Sequence, residues 1–198
     1  GRPSLYVTNF ADEYNTLYMN QGKYDFRDAS YDAGVALAAL PWVKWGTAFV
    51  DLDNDGWLDL IAVNGQVYPQ VDTLPSGARY KQPKNLFMNE KNGKFCDAEK
   101  QAGPALTDPR VSRGLAVADF DNDGNVDVII EDLDGAPMLL HNAGVAATHW
   151  VSFEFAGAKS NRLAIGTKIK IIAGASTQTE EVRSGGGYIS QHDLRVHF

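Results

Sequence analysis

The stretch Asp51-Leu52-Asp53-Asn54-Asp55-Gly56-Trp57-Leu58-Asp59 returns, 68 residues further on, as Asp119-Phe120-Asp121-Asn122-Asp123-Gly124-Asn125-Val126-Asp127. Numbered from one to nine, positions 1, 3, 5 and 9 are Asp in both copies and position 6 is Gly. Glycine lets the backbone turn sharply, so that alternate side chains converge on one point. Carboxylates drawn together in this way repel one another unless a cation lies among them. The flanks repeat as well. Gly46 and Gly114 each stand five residues before the first loop Asp, and Leu17-Tyr18-Met19-Asn20 returns as Leu86-Phe87-Met88-Asn89 and, more loosely, within Met138-Leu139-Leu140-His141-Asn142. A duplicated supersecondary unit is expected.

Within one unit the pattern predicts short strands at residues 47–50, 58–63, 86–88 and 94–96, punctuated by Asn64-Gly65 and Asn92-Gly93. Four short strands per repeat are what a β-propeller blade requires, each blade burying its faces against its neighbours. Residues 5–9 align with 60–64 but lack an acidic loop before them, so the chain is expected to begin inside a blade. Two acidic repeats with flanking parts do not close a ring of about four to eight blades. The expectation is therefore a partial ring, belonging to a longer protein or completed by other chains of an assembly. Residues 33–40 allow a helical turn or two before Pro41 stops them. The small-residue run 143–147 reads as a linker, and alternation at 150–155, 168–171 and 177–182 predicts further strands. The expected fold is all-β: propeller blades over residues 1–145 and a small C-terminal β domain over 146–198.

With 198 residues, 44% of them hydrophobic, the chain can bury a real core. Its net charge of −7 is local: apart from the eight loop aspartates, 17 acids face 18 bases. Nucleic acid is not an expected partner. Cys96, the single cysteine, rules out an intrachain disulfide and reads as a half-buried strand residue. No run approaches the roughly 18 apolar residues of a membrane helix, so no transmembrane segment is expected. Gly1-Arg2-Pro3 has neither an initiator Met nor the apolar core of a signal peptide, as expected of a processed or truncated start.

The loops predict two Ca²⁺ sites. Asp51, Asp53, Asp55 and Asp59 supply the ligands of one, Asp119, Asp121, Asp123 and Asp127 those of the other, with a backbone carbonyl from Trp57 or Asn125 at position 7. An all-oxygen set without His or Cys disfavours zinc and copper, and the ligand number suits Ca²⁺ better than octahedral Mg²⁺. An EF-hand would need a bidentate Glu at position 12, where Ala62 and Ile130 stand, and flanking helices in place of strands. The third acidic run, residues 131–135, lacks the spacing and reads as a solvated turn.

These loops, with the upstream glycine and the Leu-Tyr/Phe-Met-Asn strand, resemble the FG-GAP/VCBS repeats of integrin-α-like propellers. The resemblance implies Ca²⁺ bound by the same eight aspartates and one carbonyl per loop. The segment from His149 onward resembles the ASPIC/UnbV domain that follows such repeats in cartilage-acidic-protein-like secreted proteins. The matching stretches are Ser160-Asn161-Arg162, Ala164-Ile165-Gly166-Thr167-Lys168-Ile169, residues 181–191 and Arg195-Val196-His197-Phe198.

Other constellations read as structural. Gly185-Gly186-Gly187 lacks a P-loop Lys and is expected to form a tight turn. Ser190, His192 and Asp193 carry triad residue types, but sequence neighbours on a strand face opposite ways. His141, His149, His192 and His197 are dispersed. Trp42 and Trp45 beside Tyr31 offer a sugar platform or, more in keeping with burial habits, packing between blades. The expected function is a non-catalytic, calcium-rigidified scaffold for adhesion to a protein or glycan, secreted, periplasmic or on a cell surface. The alternatives are an accessory subunit of a larger surface or membrane-associated assembly, or a non-catalytic part of a secreted enzyme.

Overall fold

A computed structural model of the chain describes residues 2–133, 135–145, 148–159 and 161–198. Gly1, Asp134 of the third acidic run, Ala146 and Ala147 of the expected linker, and Ser160 lie outside the described residues.

The chain is all-β, as its patterning predicts. Strands β1 (Leu5–Val7), β2 (Thr16–Gly22) and β3 (Asp25–Asp28) form an antiparallel meander. A four-stranded meander follows: β4 (Lys44–Val50), β5 (Asp59–Asn64), β6 (Asn85–Asn89) and β7 (Phe95–Asp97). Strands β8 (Ser112–Ala118), β9 (Asp127–Asp132) and β10 (Met138–Leu140) make the third. Beyond them β11 (Ser152–Phe153), β12 (Lys168–Ala173), β13 (Ser176–Glu181) and β14 (Val196–His197) pair as two ribbons, β11 with β14 and β12 with β13. No described helix is long and apolar enough to cross a membrane.

The burial pattern explains why the middle sheet holds the architecture together. On β4, Lys44, Gly46, Ala48 and Val50 are buried while the residues between them are only partly covered, the period of a strand with one core face. All six residues of β5 are buried, because apolar layers cover both of its faces. On one side Ile61 and Val63 join Leu115, Val128 and Ile130 of the third sheet. On the other, Leu60 and Phe87 meet Leu17, Val35 and Ala39. Each of these side chains larger than alanine contributes about 1.5–3 kcal/mol by leaving water.

The second and third sheets meet through their first strands. A Cβ on Gly46 would lie 2.8 Å from the Arg113 carbonyl oxygen and 2.9 Å from the Leu115 nitrogen. Close backbone approach therefore demands glycine at position 46; its repeat Gly114 has more room, with the Ser190 hydroxyl 2.9 Å from a Cβ there and the Tyr188 and Ile189 carbonyls at 3.5 and 3.7 Å. A third apolar cluster, Val182, Val196 and Phe198 with Phe153, Phe155 and Leu194, holds the C-terminal ribbons.

Several local expectations are corrected. Residues 33–40 form successive turns in place of a helix, with Ala33 N–H donating to Ala29 O (2.7 Å) and Leu40 N–H to Leu37 O (3.1 Å). The helical turns present, Pro69–Thr73 and Pro104–Thr107, were not expected; each begins with proline, whose fixed φ suits a first turn. Cys96 is exposed on β7. Asp132 is no solvated turn residue: it is buried and accepts from Ser112 Oγ (2.5 Å) and Arg110 Nη1 (3.3 Å). Trp45 packs beneath Arg113 (4.4 Å) and beside Tyr188 (5.0 Å), whereas Trp42 lines an open cleft with Tyr80.

Candidate metal centre

Each acidic stretch is the hairpin connection between the first two strands of its sheet, from β4 to β5 and from β8 to β9. Position 4 (Asn54, φ 54°; Asn122, φ 60°) and position 6 (Gly56, φ 85°; Gly124, φ 89°) take the left-handed conformation, which coils the loop on itself.

The carboxylates then order the backbone in the same way twice. Asp51 Oδ1 and Oδ2 accept from the Asp55 N–H (3.1 Å) and Gly56 N–H (2.8 Å), and Asp119 accepts from Asp123 and Gly124, both at 3.1 Å. Position 9 reaches back: Asp59 Oδ2 accepts from the Leu52 N–H and Asp127 Oδ2 from Phe120, each at 3.1 Å. The other oxygen of each accepts from the third strand, Asn89 N–H to Asp59 Oδ1 and Asn142 N–H to Asp127 Oδ1, both at 2.8 Å.

The coiled loops bring Asp51, Asp53 and Asp59 together in one case, and Asp119, Asp121 and Asp127 in the other, with one oxygen from each residue within 4.8 Å of the rest. Position 5 stands apart. Asp55 Oδ1 accepts from the Trp57 N–H (2.8 Å) and its Oδ2 pairs with Lys91 Nζ (2.9 Å). Asp123 Oδ1 likewise accepts from the Asn125 N–H (2.8 Å), and Asp123 groups with Asp121 and His141. The Trp57 side chain is exposed, and Asn125 lies against Gly144 and Asn54.

The donor set fits a hard cation. Asp53 Oδ1 is buried without any partner. Burial raises the Asp59 carboxyl to about 7, outweighing its bonds from Asn89 and Leu52, and Asp53 and Asp51 push the same way. Burial also raises Asp51 and Asp53, each with a like-charged neighbour adding to it. A cation among these oxygens would relieve both the desolvation and the repulsion. Asp123 behaves differently: the Asn125 backbone N–H lowers it.

Three features of the site had no clear reading in the sequence. His141 occupies the place of Met88, with Nδ1 3.2 Å from Asp127 Oδ1 and 3.8 Å from Asp121 Oδ2. In the first sheet, Ser4 takes the place of the position-9 Asp. The Asn20 N–H donates to Ser4 Oγ (3.3 Å) and Asn20 Nδ2 to Pro3 O (2.9 Å), as Asn89 does to Asp59 and to Leu58 O (2.9 Å). The alignment of residues 5–9 with 60–64 carried that signal one residue short. Finally, the position-4 asparagines bind outside their own loops. Asn54 Nδ2 donates to Gly124 O (2.9 Å) and Asn54 Oδ1 lies 2.9 Å from His197 Nε2. Asn122 Oδ1 accepts from Arg195 Nη1 (2.5 Å), and Arg195 Nη2 donates to Asp119 O (2.6 Å).

Ser190, His192 and Asp193 do not assemble into a relay. Ser190 Oγ donates to Tyr188 O (2.8 Å), Asp193 pairs with Arg195 (2.6 Å), and His192 Nδ1 has no partner. Gly185-Gly186-Gly187 does not itself form the expected tight turn: the turn is made by Tyr188 and Ile189, closed by a bridge between Gly187 and Ser190, and the glycines lead into it with Gly185 at φ 69°.

Fold and site together define an all-β protein carrying a duplicated acidic hairpin loop on adjoining antiparallel sheets, with a C-terminal β segment seated against both loops. Residues 157–198 of that segment match the family model described as ASPIC and UnbV. They include Arg195 and His197, the residues that reach the loops. No curated protein matches the chain.

Proposed function

We propose that the chain is a Ca²⁺-binding part of an extracytoplasmic β-propeller of the FG-GAP/VCBS type, and that it acts as a non-catalytic scaffold for adhesion to a protein or glycan. The observation that carries this reading is the pair of equivalent carboxylate triads, Asp51/Asp53/Asp59 and Asp119/Asp121/Asp127, each folded around one point. Asp55, Asp123 and the position-7 carbonyls of Trp57 and Asn125 complete the ligand sets in this reading. Bound Ca²⁺ supplies positive charge that neutralises the converging carboxylates and locks the hairpin to the third strand. Asn89 and Asn142 hold the position-9 carboxylates ready for it.

The propeller assignment is supported by the four-stranded meander β4–β7, by the 68-residue repeat and by the close packing of the first strands at Gly46. An extracytoplasmic setting is the reading this chemistry supports, since oxygen-rich loops of extracellular modules work at about 10⁻⁴ to 10⁻³ M Ca²⁺. Isothermal titration of the metal-free chain with CaCl₂ tests the reading. About two sites per chain are expected, and a flat titration would sink it.

A further inference from the structure

A set of side-chain hydrogen bonds joins the C-terminal segment to the two loops. From it we infer that Arg195 and His197 are positioning residues of the acidic loops, so that the C-terminal segment sets the loops' affinity for cations and cation binding in turn fixes that segment in place. The inference rests on the proposal that the loops bind Ca²⁺.

Each contact falls on a residue that controls loop shape. Asn54 lies between Asp53 and Asp55 and Asn122 between Asp121 and Asp123, and both hold the left-handed backbone conformation that turns one ligand toward the next. Asparagine takes this conformation more readily than other non-glycine residues, and each of these two side chains has a partner outside its loop that steadies the turn. For Asn122 that is the Arg195 guanidinium, whose second arm grips the carbonyl of Asp119, a residue of the triad. The guanidinium is aimed in advance, since its Nε donates to Asp193 Oδ2 (2.6 Å) and the Asp193 N–H donates to Val117 O (3.0 Å) on β8.

For Asn54 the holder is His197. The Asn54 amide already donates to Gly124 O, which leaves its oxygen facing the ring, so His197 Nε2 must carry the proton. His197 Nδ1 is buried without a partner, as suits that neutral tautomer. Trp150 stacks on the imidazole (5.8 Å, 16°) and lies so close over Gly124 that any side chain there would collide with it. The two loops are thus tied to each other and to the same strand, β14 and the residue before it. Holding a loop in its ligating shape raises affinity by removing the ordering cost from the binding step. Because coupling is reciprocal, filled loops must hold the C-terminal segment more firmly.

The electrostatic alternative predicts the opposite sign. A cation beside Asp119 repels Ca²⁺, so if Arg195 acted only through its charge, Arg195→Met would tighten binding. Positioning predicts weakening.

The test is calorimetric titration of the full chain with CaCl₂, comparing wild type, Arg195→Met, His197→Phe and His197→Gln. His197→Phe keeps a ring for Trp150 to stack on but loses the donor; His197→Gln restores an N–H for Asn54. The expected results are about tenfold weaker binding at one site in Arg195→Met, a similar loss at the other site in His197→Phe, and recovery in His197→Gln. In the wild type, amide hydrogen exchange over residues 193–198 should slow on adding Ca²⁺, a reading that requires no variant to fold. Unchanged or tighter binding in Arg195→Met and His197→Phe, with two sites present in the wild type, overturns the inference alone. Exchange over 193–198 indifferent to Ca²⁺ overturns it too. A wild type that binds no Ca²⁺ overturns both the inference and the calcium reading.

Discussion

Asp59 and Asn89, thirty residues apart, are joined by a 2.8 Å hydrogen bond from the Asn89 backbone N–H to Asp59 Oδ1. The bond anchors the acidic loop to the third strand of its own sheet, and Asn142 and Asp127 repeat it at the same length. The first sheet keeps the joint but replaces the carboxylate with the Ser4 hydroxyl.

That replacement separates two roles of position 9. Asp59→Ser should retain the bond to Asn89, as Ser4 does to Asn20, yet lose the Ca²⁺-dependent rise in melting temperature of its loop. Asp59→Ala should lose the same rise and, at about pH 5.5 where the raised Asp59 carboxyl is largely protonated, about 1–3 kcal/mol of metal-free stability, because the Leu52 and Asn89 N–H groups are left unpaired. Thermal melts with Ca²⁺ and with chelator compare them. Equal calcium dependence in wild type and Asp59→Ala would show that position 9 is not a ligand.

The Asp59 carboxyl should make the metal-free chain less stable as pH rises. The Asp59 carboxyl titrates at about 7 in the folded state against its ordinary 3.8, so the folded state holds the proton more tightly than the unfolded chain does. Stability from this group is therefore complete below about pH 4 and is lost as pH rises to about 7. Burial shifts Asp51 and Asp53 in the same direction. Relative to Asp59→Asn, whose amide does not titrate, the chelated wild type should lose melting temperature between about pH 5.5 and about pH 8, and Ca²⁺ should remove the difference; the comparison cancels His192 and His197, which burial lowers and which favour the fold as pH rises. A chelated wild type whose melting temperature follows that of Asp59→Asn across this range contradicts the raised Asp59 carboxyl.

Gly46 and Gly93 should respond differently to alanine. A Cβ on Gly46 meets backbone atoms at 2.8 and 2.9 Å, so Gly46→Ala must push the second and third sheets apart, at about 1–3 kcal/mol. Gly93 has open space around it and a φ of 84°, so Gly93→Ala carries only the left-handed penalty of about 1–2 kcal/mol and leaves the sheet contact intact. Denaturant melts give the two losses. Amide exchange on β8 should quicken in Gly46→Ala alone, and equal protection in both variants would contradict the close approach.

Lys84 is fully buried, and its ammonium group donates to Ala105 O (3.2 Å) and Asp108 O (2.7 Å). Lys84→Met keeps the volume but leaves both carbonyls without that donor, and should destabilise the chain by about 1–3 kcal/mol. Burial already lowers the pKa of Lys84, so removing its charge offsets part of the loss. A melting temperature equal to or above wild type would show that desolvation of the ammonium outweighs its hydrogen bonds.

What the sequence alone determined is local. The four-Asp spacing, the glycine at position 6 and the period-two strands dictated two hairpin loops on antiparallel sheets, because bonds such as Asp51 to Gly56 span five residues and form wherever the backbone coils. The match of residues 157–198 to ASPIC and UnbV was likewise legible in residues 181–191 and 195–198. Tertiary structure decided the rest. That Asn54 faces His197, 143 residues away, and Asn122 faces Arg195, 73 away, depends on how separate sheets pack. The same is true of the burial of Lys84 and Asp132, polar residues that sequence habit assigns to the surface. Position-4 Asn in both loops was visible in the repeat, but its partners arise only when the chain returns from its far end, since a short side chain's hydrogen bond is fixed by neighbours in space rather than in sequence.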